Sequence, residues 1–368
     1  RHAAPARLAA LLTQVLTAPD TRLTGRKEAV RLAAVRLPVP EAARLLTETY
    51  TRAGTHLDVR AACVAFAGGL LAREEIWDLM RHAAGAEPVL RAAVLRVAPL
   101  DLPEPQRERY AALVREVSGT DDPQTADLAF AALARWTPWS PQAPGVLARA
   151  ATDLTERANW HAAARGLVTA AMASPEGAQG LLDALRTLAE TPADTEPDAE
   201  PRRDRPARRR IEFLVACLRH DTRTAPAAVR PAALAASDLL GRYDAHVPQA
   251  AALAATHLDL AAVPPDLDRL VAAVGTGRPV LAAEVADTLR TRLAHHDKQA
   301  DPEALLAEAV RLTEHGGHTE GLLALAVVRA VGGRTEWLAA WRERLRALRR
   351  HPRADVRDKA LEETTAYE

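Results

Sequence analysis

The residues best suited to chemistry fall in a few short stretches. Glu314-His315-Gly316-Gly317-His318 sets two imidazoles and a carboxylate close together, the kind of donor set that holds a metal. No third or fourth ligand stands nearby in sequence, and the Gly pair reads more simply as the turn between two helices. Arg202, Arg203, Arg205, Arg208, Arg209 and Arg210 form one basic cluster, and Arg342, Arg344, Arg346, Arg349, Arg350 and Arg353 form another. Clusters of this kind grip phosphates, so Arg208, Arg209, Arg210, Arg342, Arg346, Arg349 and Arg353 are the candidates for phosphate or partner contact. Asp194, Glu196, Asp198 and Glu200 compensate the first cluster, and a solvated helix edge accounts for the second. Val274-Gly275-Thr276-Gly277 is too short for a dinucleotide fingerprint. Asp121-Asp122 reads as a helix cap, and Cys63 and Cys217, far apart in apolar contexts, read as buried thiols of a reducing compartment. No catalytic residue, cofactor site or metal site is assigned.

The elements that must carry these residues are helices. Hydrophobic residues make up 48% of the 368, yet aromatics only 4%, so the apolar share is Ala, Leu and Val. Small and unbranched side chains suit closely packed helices, whereas sheets favour β-branched and aromatic residues. The 48 basic and 48 acidic residues cancel, which removes any global field toward nucleic acid or anionic lipid. The basic residues are almost all Arg, the Lys being Lys27, Lys298 and Lys359, a bias that fits a GC-rich bacterial genome. No apolar run reaches the roughly 20 residues of a membrane span, since Arg or Asp interrupts each one. Residue 1 is Arg, which suits a piece of a longer protein.

One stretch recurs. His351-Pro352-Arg353-Ala354-Asp355-Val356-Arg357-Asp358-Lys359-Ala360-Leu361 has Pro at a turn, Asp at a helix start where it meets unpaired N–H groups, Arg two residues on, and small residues after it. Asp58-Val59-Arg60-Ala61-Ala62 is a second clear copy and Glu87-Pro88-Val89-Leu90-Arg91-Ala92-Ala93 a degenerate one. These motifs resemble the HEAT repeat family. The resemblance implies an all-α, right-handed α-solenoid of about ten stacked antiparallel helix pairs, in which Asp58, Arg60, Asp355 and Arg357 are structural positions that cross-link adjacent repeats.

Taken in order, helix pairs are expected at 5–17 with 25–37, 41–53 with 58–71, 74–83 with 87 onward, 103–118 with 122–136, and 145–156 with 159–173. Second helices then start about 30 to 36 residues apart, near the period of helical repeats. A helix at 175–190 precedes a Pro- and charge-rich stretch, 191–206, that cannot bury enough surface to offset ordering and reads as a flexible loop. The chain thus divides into HEAT-like repeats over 1–190, the loop 191–206, and repeats over 207–368 continuing the same solenoid. Around 226–233 the phase is ambiguous: Pro226-Ala227-Ala228-Val229-Arg230 looks like a second helix, while counting makes it a first, and Pro231 fits only within a first turn. At the end, Trp337, Trp341, Leu345 and Leu348 share one face of a helix at 335–350.

The expected function is a non-catalytic, cytoplasmic scaffold that presents a concave helical surface to a protein or peptide partner. The alternative is a nucleic-acid-binding protein. HEAT-like DNA glycosylases use Trp and Asp in a basic groove, for which Trp136, Trp139 and Trp160 with Asp122, Asp127 or Asp153 are the candidates. No cofactor and no membrane is expected.

Overall fold

A computed structural model describes residues 3–120, 122–155, 158–191, 206–220 and 226–365, and the chain divides into two compact units, Arg1–Leu181 and Leu182–Glu368. The described residues form twenty α-helices joined by turns and single 3₁₀ turns, with no strand among them. The expected loop falls almost wholly on 192–205, outside the described residues, as do Arg202, Arg203, Arg205 and Asp121.

In the first unit, α1 (Ala3–Thr17), α3 (Val39–Thr51), α5 (Glu74–Ala84), α7 (Glu104–Val117) and α9 (Ala143–Thr152) alternate with α2 (Leu23–Arg36), α4 (Leu57–Phe66), α6 (Pro88–Leu95), α8 (Pro123–Trp136) and α10 (Trp160–Ala173); the boundary between the units falls within α11 (Pro175–Glu190). Neighbouring helices pack as pairs, and α2, α4, α6, α8 and α10 also pack each on the one before in a row, as α1, α3, α5 and α7 do in another. Proline opens many of these helices, including α3, α6, α7, α8 and α9, where the first turn has no use for the missing N–H. Ala29, Ala33, Ala62, Ala93, Ala129, Ala132, Ala163 and Ala164 are buried on the second row, which explains how the chain packs tightly with so few large side chains. Four aromatics form a row: Trp77, Tyr110, Trp136 and Trp139 follow one another with ring centroids 6.1, 5.1 and 5.9 Å apart.

The second unit repeats the plan. It contains α12 (Pro206–His220), α13 (Pro226–Leu240), α14 (Val247–His257), α15 (Asp268–Val274), α16 (Pro279–His295), α17 (Pro302–His315), α18 (His318–Arg334), α19 (Ala339–Leu348) and α20 (Ala354–Leu361). The row here is α12, α14, α16, α18 and α20. That settles the phase: α13 is a first helix, and Pro231 sits in its second turn rather than its first. α18 is buried almost all round, from Gly321 to Gly332, so its sequence lacks a polar face. The turn before it is made by Gly316 at φ 67°, a left-handed cap that Gly adopts without Cβ cost.

Trp337 departs from its expected place. α18 ends at Arg334, and Glu336 and Trp337 both take left-handed backbone at φ 52° and 54°, so α19 starts only at Ala339. The Trp337 N–H donates to Gly332 O at 2.8 Å, and its ring lies so close to α18 that a Cβ on Gly332 would be 2.6 Å from it. Trp341, Leu345 and Leu348 are buried on α19 as the spacing implied.

Candidate functional site

The repeat positions are placed as follows. His56 caps α4, its Nδ1 accepting the Asp58 N–H at 3.2 Å, and Asp58 lies one residue into the helix with no ion-pair partner among the described residues. Arg60 donates to Arg52 O at 3.5 Å. Asp355 meets His318 Nε2 at 3.1 Å, and Arg357 donates to His351 O at 3.2 Å.

Other arginines join one helix of a row to the next. Arg292, in the last turns of α16, donates to Ala255 O and Leu258 O at the end of α14, both at 2.9 Å, and pairs with Asp297 at 2.9 Å. Arg334, ending α18, donates to Lys298 O at 2.7 Å and Ala300 O at 3.1 Å beyond α16. In the first unit Arg135 of α8 reaches Leu95 O of α6 at 3.4 Å. Arg292 and Arg135 cover carbonyls that a helix end leaves without intrahelical donors, and Arg334 covers carbonyls of the turn after α16. The second-unit contacts join residues 34 to 37 apart, and that recurring Arg near a second helix's end is the signal sequence reasoning missed.

The expected phosphate cluster does not form one surface on α12. Successive helical residues point about 100° apart. Arg208 pairs with Glu212 at 3.0 Å, Arg209 is exposed, and Arg210 is 3% exposed within the helix's buried face. In the second cluster, Arg342 and Arg346 lie on α19, Arg349 caps the end of α20 by donating to Ala360 O at 3.3 Å and Glu363 O at 2.6 Å, and Arg353 is exposed just ahead of α20. His315 faces Arg311 O at 3.0 Å while His318 faces Asp355, so the two imidazoles of the Gly turn have separate partners. Among the described residues, no three His, Cys, Asp or Glu side chains gather as a metal would need.

Trp136 is fully buried, and Trp160 is buried against His161. Asp122 caps α8, accepting from the Thr125 N–H at 2.8 Å, and Asp153 accepts from Thr155. Asn159 precedes α10; with its amide oriented to suit its neighbours it donates to Pro123 O at 3.1 Å and Asp127 at 3.0 Å, tying α10 to α8. Trp136 and Trp160 thus belong to the core and Asp122 to a helix cap. Cys63 is buried and its thiol is pushed up to about 12 by burial, which suppresses the reactive thiolate.

Three surface depressions differ in charge. One, about 560 Å³, lies over α3 with Arg44, Glu48, Arg73 and Glu75, and another, about 440 Å³, holds Arg81, Arg109, Arg115 and Glu116 beside Trp77. Several of their charges pair, as Arg73 with Glu75 and Arg109 with Glu74, while Arg115 donates to Gln142. The Arg109 guanidinium also stacks 4.1 Å over Trp77. The third, about 580 Å³, lies at the C-terminal ends of α16 and α18 and is lined by Arg290, Lys298, Arg329 and Arg334 against the single carboxylate of Glu363.

No protein family's sequence pattern matches the chain. No curated protein matches it either. Among solved structures it is similar to the crystal structure of an engineered protein, 15% identical, over 96% of this chain and 97% of that one; the TM-score of 0.38 is too low to inform fold or function. No described helix is long and apolar enough to cross a membrane.

Proposed function

We propose that this chain is a non-catalytic, cytoplasmic protein-interaction scaffold of bacterial origin, built from about ten HEAT-like antiparallel helix pairs in a right-handed α-solenoid. Its second helices offer an extended surface to a protein or peptide partner. The observation that carries this reading is the row-on-row packing within each unit, in which second helices such as α8 and α10 keep one stripe outward. On α8 that stripe is Asp127, Ala131 and Arg135 with Leu128 beside them; on α10 it includes Arg165 and Thr169. Residues of mixed charge and modest size, four apart on successive parallel elements, suit an extended polypeptide better than a phosphate backbone.

A duplex titration tests the reading. Nucleic-acid affinity that rests on phosphate contacts falls steeply between about 50 and 200 mM salt. A labelled duplex should bind weakly at the low end and not at all near physiological salt of about 150 mM. Tight duplex binding at physiological salt, lost when exposed Arg209 and Arg346 are changed to Ala, would overturn the scaffold reading in favour of nucleic acid.

A further inference from the structure

The groove at the ends of α16 and α18 carries more positive charge than its own residues neutralise. Arg329 Nε meets Glu363 at 2.7 Å, and Arg290 meets Asp287 at 2.6 Å on the rim. The other two cations have no carboxylate. Arg334 directs its guanidinium to the backbone carbonyls of Lys298 and Ala300, and the exposed Lys298 ammonium has no partner among the described residues. The opening, about 580 Å³, falls in the size range of small-ligand pockets. A groove whose cations outnumber its carboxylates favours an anion that enters it.

We propose that this groove binds an acidic peptide segment, one that places an oxyanion between Lys298 and Arg334; the inference rests on the protein-partner reading and names its chemistry at one site. Glu363 shows what the groove accepts, since a carboxylate carried on the extended chain after α20 already occupies the Arg329 side of it. Ala294, Ala330 and Gly333 among its lining leave room for a backbone to lie close. A duplex is a poorer fit. It needs charge along a track of several phosphates, whereas the excess here is confined to one pocket of a chain whose total charge is zero. The oxyanion is the shared chemistry of Asp or Glu side chains and of phosphoserine.

Fluorescence anisotropy with the full chain at about 50 mM salt tests this, using labelled hexaglutamate, a phosphoserine peptide of equal length, and hexaglutamine. At least one anionic peptide should bind and hexaglutamine should not, the tighter of the two identifying the oxyanion. Lys298→Glu should weaken binding at least tenfold with an unchanged melting temperature, because that side chain holds nothing else. Glu363→Gln should tighten it several-fold by releasing Arg329. Absence of binding by both anionic peptides, affinity that Lys298→Glu leaves within twofold, or displacement by duplex DNA at lower concentration than by free peptide would each overturn the proposal. The two readings fail separately. A protein partner bound with unchanged affinity by Lys298→Glu overturns the groove and leaves the scaffold standing, while hexaglutamate held in the groove by a chain with no protein partner does the reverse.

Discussion

Arg292 and Asp297 form an ion pair of 2.9 Å that is largely shielded from water, with side chains 13% and 18% exposed. The same guanidinium holds the carbonyls of Ala255 and Leu258, so one side chain closes α16 and ties it to α14. Removing one partner of such a pair leaves a shielded charge and two carbonyls without donors. Arg292→Ala should therefore destabilise by roughly 3 kcal/mol or more. Arg292→Lys should recover little, since an ammonium lacks the fork that spans three acceptors. Denaturant unfolding of the three proteins checks this; a fully stable Lys variant would contradict it.

Gly332 and Gly333 provide an internal control. Alanine normally favours a helix over glycine by about 1 kcal/mol. At exposed Gly333 a Cβ meets nothing within 4 Å, and Gly333→Ala should raise the melting temperature. At Gly332 the Cβ would run into the Trp337 ring at 2.6 Å, so Gly332→Ala should lower it and alter the Trp337 environment seen by near-UV circular dichroism. Shifts of equal sign at both positions would mean that Trp337 does not lie against α18.

At the start of α4 the cap belongs to His56 rather than Asp58. His56→Ala should cost about 1 kcal/mol, whereas Asp58→Asn, which only weakens a dipole contact, should cost about 0.5 kcal/mol or less. Thermal unfolding of the two variants side by side decides which residue starts the helix.

Acid should destabilise the second unit through His257. This ring is 3% exposed, and burial, reinforced by Arg292, Arg230 and Arg219, lowers its pKa from 6.5 to about 4 even though a hydrogen bond with the Leu218 backbone opposes the shift. Above about pH 6.5 neither folded nor unfolded chain protonates it. As pH falls from there to about 4 the unfolded chain takes up the proton first, so stability declines by on the order of 3 kcal/mol. Burial lowers the pKa of His246 and His351 in the same direction. His257→Leu should flatten this acid limb whatever its stability at neutral pH; a limb of unchanged depth would place the titration elsewhere.

The helices were legible because the sequence punctuates them. Pro123 after Asp122, Pro302 after Asp301 and the left-handed Gly316 mark ends that the structure keeps. The links between helices of one row were not legible, because Arg292, Arg334 and Arg135 bond mainly to backbone carbonyls, which every residue has and no motif marks. Asp58/Arg60 and Asp355/Arg357 drew attention as charged pairs, yet their closest partners are a His and main-chain atoms. Trp337 was misplaced because two consecutive non-Gly residues in left-handed backbone leave no composition signal. The basic groove was invisible for another reason: Arg290, Lys298, Arg329 and Glu363 come from separate helices and turns, and each alone looks like ordinary surface.

The central claim, that second helices form a surface for a protein partner, is tested most directly by placing a photo-cross-linking amino acid at Leu128 on the outward side of α8 or at exposed Ala112 on α7 of the other row. Irradiated in the native host, the Leu128 variant should give a discrete protein adduct and the Ala112 variant none. Nucleic acid recovered from position 128, or the same adduct from both positions, would contradict the account.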